Sequence, residues 1–145
     1  MNTRLAARRV DRSGSFNDTI VYALDGVVTV LIGTLETFQV GMVTGPSAKF
    51  WEKTLDEDLD KLHTVEQAMG RLGRGDPRAD VRAMENAETV ISAVRMNLVG
   101  LIEDHSNGQL RGRGLAGSAR IAERELGVLN EIEDILRAGI SMARP

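Results

Sequence analysis

The sequence predicts an all-α protein, an antiparallel up-down-up-down four-helix bundle with a basic N-terminal arm. Three observations predict it. Apolar residues recur at helical spacing along most of the chain, three breaks marked by glycine or proline divide it into four segments, and an arginine-rich stretch precedes the first segment. The chain has 145 residues and is 42% hydrophobic, which suits one domain with a single core. We therefore divide it into an arm, residues 1–14, and a bundle, residues 15–145.

The first segment is the least obvious helix. Thr19 to Leu24 and Val27 to Ile32 are β-prone runs separated by Asp25-Gly26, a two-residue turn suited to a hairpin. Periodicity argues for a helix instead, because Ile20, Leu24, Val27, Leu31, Leu35, Phe38 and Met42 form one continuous stripe. Ser15, three residues before Asp18, supplies an N-terminal cap. Val21, Val28 and Val30 widen the stripe, so this helix is expected to be the most enclosed, or to pack on another subunit. A membrane span is not expected, since the window from Ile20 to Val43 holds Asp25, Glu36, Gln39 and several threonines.

The second helix opens at Pro46-Ser47, carries Trp51, Leu55, Leu59, Leu62, Met69 and Leu72 as its seam, and ends in the glycines of Gly70 to Gly75. Asp76-Pro77 starts the third, with Asp capping free amides and Pro pre-set for the first turn. Val81, Met84, Ala87, Val90, Ile91, Val94, Leu98, Leu101 and Ile102 line it, and Asn107-Gly108 stops it. After a glycine-rich loop the fourth helix begins at Leu115 or Ser118. It bears two stripes: Ala122, Leu126, Leu129, Leu136 and Ile140 on one side, and Ile121, Val128, Ile132 and Ile135 on another. Two stripes require contacts on two sides, and the second is expected to be a subunit interface. No internal repeat stands out along the chain.

Composition narrows the function classes. The formal charge is −3, so the chain is neither a polyanion nor a general nucleic-acid binder. It has no cysteine, which removes disulfides, thiolate catalysis and cysteine-bound metal centres. The N-terminus lacks the apolar run of a secretory signal, so a cytoplasmic origin is expected. Of the 18 basic residues only Lys49, Lys53 and Lys61 are lysine. Biased base composition alone produces such an excess, but arginine is also the side chain suited to pairing carboxylate or phosphate across an interface.

The expected topology gathers these arginines at the ends. Arg4, Arg8, Arg9 and Arg12 of the arm would share one end with Arg71, Arg74, Arg78, Arg82 and Arg144, while Arg111 and Arg113 would lie with Gly41 to Ser47 at the other. Arg4, Arg8, Arg9, Arg12, Arg71, Arg74, Arg111 and Arg113 are therefore candidate contacts for phosphate or for a partner's carboxylates.

Sharper motifs each meet a plainer explanation. Asp60-x-x-His63, in an acidic run with Glu52, Asp56, Glu57, Asp58 and Glu66, has the spacing used in carboxylate-bridged metal bundles. A second such pair is missing, because His105 follows Ile102 at that spacing. Glu85-x-x-Glu88 adds carboxylates, and these acids resemble the acidic clusters of all-helical nucleotide pyrophosphohydrolases, with no ordered match beyond that. A solvated helix face accounts for the run. GRGLAG, Gly112 to Gly117, spells a dinucleotide fingerprint but follows a helix, not a strand, and so reads as a connection. Arg74-Gly75-Asp76 is a helix stop followed by a helix start. Two histidines and no Gly-x-Ser-x-Gly elbow leave no serine triad to propose.

The reading that follows is a non-enzymatic assembly protein. It would be a self-associating helical subunit of a large multi-chain particle, a virion-like component being favoured, with no cofactor or metal. Its partners would be copies of itself, other subunits and, through the arm, nucleic acid. A carboxylate-rich metal protein or nucleotide hydrolase is the alternative, and a helical adaptor for a partner's helix the third.

Overall fold

The computed structural model describes residues 9–144, so Arg4 and Arg8 of the expected arm lie outside the described residues. It contains four helices: α1 (Phe16–Gln39), α2 (Ala48–Gly70), α3 (Pro77–Ser106) and α4 (Leu115–Ala143). The β-prone opening segment is one helix running through Asp25-Gly26. Its start is set by Ser15, whose Oγ accepts from the Asp18 amide at 3.1 Å. Asp76 caps α3 through the Arg78 amide at 2.9 Å, with Pro77 in the first turn.

The four stripes meet in one core. Ile20, Leu24, Val27 and Leu31 of α1, Leu55, Leu62 and Met69 of α2, Ile91, Leu98 and Leu101 of α3, and Leu129, Ile132 and Leu136 of α4 are all fully buried. Helices touch around a ring, α1 with α2, α2 with α3, α3 with α4 and α4 with α1. Packing is closest within the hairpins α1–α2 and α3–α4.

This ring corrects the expected subunit interface. Val128, Ile132 and Ile135 are 1%, 0% and 9% exposed, and Ile121 is half-buried, inside the single chain. The second stripe exists because α4 packs on both α3 and α1. On α1 the stripe from Ile20 to Phe38 is buried, while Tyr22 and Ile32 on its other side are exposed.

A repeat that the sequence conceals is plain in the loops. Thr44 and Arg111 exchange two backbone hydrogen bonds of 2.8 Å each in an isolated antiparallel bridge. The Ser47 amide donates to the Gln109 carbonyl, and the Gly114 amide donates to the Met42 carbonyl. Ala48 closes back on Gly45 as Leu115 closes on Gly112, both at 3.1 Å. Every pair of equivalents is separated by the same 67 residues that separate Thr44 from Arg111. Backbone angles agree: φ is 77° and 86° at Gly41 and Gly108, and 120° and 118° at Gly45 and Gly112. A side chain at either member of the second pair would strike a carbonyl across the bridge. A Cβ on Gly45 would lie 2.6 Å from the Gln109 oxygen, and one on Gly112 2.4 Å from that of Met42.

Candidate functional site

At the loop end Arg111 and Arg113 are exposed. Neither side chain is ion-paired among the described residues. They precede α4, which has no side-chain cap and no acid in its first turn. The start of α2 likewise has no side-chain cap and no acid in its first turn, but an acid from another helix reaches it. Asp104, from α3, accepts a 2.8 Å bond from the Trp51 indole, and bonds from Trp51 and Ser47 hold its carboxyl below the ordinary range. One helix start at this end is thus served by an acid and the other is not.

The opposite end holds Arg9, Arg12, Arg71, Arg74, Arg78 and Arg82 on its surface. Asn17 donates to the Leu72 carbonyl at 2.8 Å, bringing the start of α1 against the α2–α3 turn. The Val10 amide donates to Glu131 of α4 at 3.1 Å, which places Val10 beside that helix. Between residues 9–14, α1 and α4 opens a cavity of about 390 Å³ that Tyr22, Asp18 and Val128 help to line. Arg144 is not a free cation, because it pairs with Glu85.

The acidic face of α2 does not converge. Asp56, Asp60 and His63 are exposed, and among the described residues no three histidine or acidic side chains come together to hold a metal ion. His63 meets Gln67 at 3.4 Å instead. Glu66 is raised by partial burial and then by the Asp25 carboxylate beside it.

The polar chemistry inside the bundle was not foreseen, and the solvated face expected for the acidic run of the second helix is wrong at Asp58, which is buried. Asp58 is buried between α2 and α3, where the Asn97 amide donates to both carboxylate oxygens at 3.1 Å, and burial pushes its pKa up to about 6. Glu133 is buried on α4 and accepts from Arg95 of α3 at 2.5 Å and from Arg137 at 2.7 Å. Glu125 is buried with Arg124 at 3.1 Å. His105 and Ser118 meet at 2.9 Å, leaving the imidazole Nδ1 buried without a hydrogen-bond partner among the described residues, and burial lowers the pKa of His105. The signal for Asp58 was present: an acid three residues after Leu55 and four before Leu62 lies on the seam itself. Each of these groups is enclosed by the chain's own helices, and none opens on the cavity beside Tyr22.

One surface does break the usual pattern. The outward side of α1 carries Tyr22, Thr29, Ile32 and Gly33, all exposed, with Val40 just beyond the helix end. Only Asp18, Asp25 and Glu36 are charged in the whole helix, and none is basic. By length and composition α1 would also serve as a membrane-crossing helix, yet its Ile20 to Phe38 stripe is spent on the core. No family model, curated protein or solved structure matches the chain.

Proposed function

We propose that the protein is a non-enzymatic assembly subunit, an up-down-up-down bundle that associates with copies of itself through the outward side of α1. The observation that carries this reading is the uncharged exposed surface of Thr29, Ile32 and Gly33 between Asp25 and Glu36, with Tyr22 and Val40 exposed beyond those two acids. A strip of surface on which exposed apolar side chains gather, here broken by only two acids, marks a contact site. The interface moves from α4, whose apolar residues the chain itself covers, to α1. Exposed arginines at both ends that make no ion pair among the described residues supply the second kind of contact, toward a neighbour's carboxylates or nucleic-acid phosphate. A particle component of cytoplasmic origin, virion-like in kind, would use both.

The test is a solution mass measurement on the wild type and on Ile32→Glu. A wild-type oligomer that the variant splits into folded monomers supports the reading, since an unpaired charge buried in a contact costs several kcal/mol. A wild type that is monomeric at high concentration overturns it and favours an adaptor that offers the same strip to a partner's helix.

A further inference from the structure

We infer that the chain is a tandem duplication of one helical hairpin, and that the face by which each hairpin packs on the other fits another copy of the same hairpin. The loop bonds, the glycine angles and the bridge already repeat at one spacing. The core repeats with them. Ile20, Leu24, Val27, Leu31 and Phe38 fall on Ala87, Ile91, Val94, Leu98 and His105, and all ten are buried. Leu55, Leu62, Val65 and Met69 fall on Ala122, Leu129, Ile132 and Leu136, again all buried. Two of the three buried acids also correspond, Asp58 to Glu125, which generic packing does not require.

Gly33 and Gly100 make the history visible. Gly100 has a reason to lack a side chain, because a Cβ there would lie 3.0 Å from the Trp51 ring. Gly33 has none, since a Cβ would meet nothing within 4 Å, and glycine within a helix costs stability. The residue equivalent to Trp51 in the second hairpin is Ser118, so the large ring that would explain Gly33 is absent. A duplicated ancestor with tryptophan at both places accounts for both glycines. Chance helical periodicity explains neither.

The test uses two full-length chains made symmetric. In one, residues 83–143 are replaced by a second copy of 16–76; in the other, residues 16–70 are replaced by 83–137. The expected result is that at least one folds to a cooperative helical monomer giving a single set of backbone amide signals for the two copies. Loss of cooperative unfolding in both, or two unrelated signal sets, would overturn the inference. Gly33→Ala adds a readout independent of overall folding. It should hold or raise the urea midpoint of the natural chain but lower that of the first symmetric chain, where the copied tryptophan covers Gly33. An equal effect in both chains would also count against the duplication.

Discussion

Asp58 is buried in an environment that makes stability depend on pH. Its folded pKa of about 6 lies above the ordinary 3.8, so between those values the folded protein holds a proton that the unfolded chain has released. Stability therefore falls as pH rises from about 4 to 6, and the cost of the buried carboxylate is complete above that window. Asp58→Asn keeps an acceptor for Asn97 and removes the charge. Denaturant unfolding should show the variant more stable by roughly 1 to 3 kcal/mol at pH 7 and indistinguishable near pH 4. A constant difference across the range would mean that Asp58 is not the titrating group. Glycines act locally in the same way. Gly112→Ala should cost about 3 kcal/mol in the natural chain, because φ is 118° and the Met42 carbonyl is in the way. Gly41→Ala, at a φ of 77° with open space, should cost only about 1 kcal/mol.

At the scale of the helix, what could be read in the sequence was what depends on one element at a time. The stripe decided against a hairpin because apolar positions at helical spacing agreed on one face, of which Ile20, Leu24, Val27, Leu31, Leu35 and Phe38 lie buried in α1 and Met42 falls in the loop beyond it, and Ser15 and Asp76 announced their helices by local hydrogen-bonding chemistry. What could not be read depends on a second element. Ile132 shows this well: its spacing demanded a covering surface, but only the ring of helices shows that the surface belongs to the same chain. The Asn97 amide that satisfies Asp58, and the Arg95 and Arg137 that satisfy Glu133, arrive from positions no periodicity links to them. The repeat was hidden for the same reason, since its clearest marks are shared glycines and backbone bonds between loops. Glu133 gives an element-level prediction. Glu133→Leu leaves Arg95, about a quarter exposed, without its partner, and should destabilise the α3–α4 pair by about 1–3 kcal/mol in urea unfolding. Arg137→Ala, at an exposed site, should cost less than Glu133→Leu in the same measurement.

For the molecule as a whole, the Thr44–Arg111 bridge offers a clock. Most helix amides are protected by carbonyls of their own helix and become labile when that helix frays. The amides of Thr44 and Arg111 are protected only by each other's hairpin. They exchange with solvent only when the loops part, so their rates report how often the two halves of the molecule separate. If separation and complete unfolding are one event, both amides will exchange as slowly as the core of α3 and with the same denaturant dependence. If the hairpins live independently for a time, these two will exchange together, ahead of the core, and the difference will be the free energy of the half-open state.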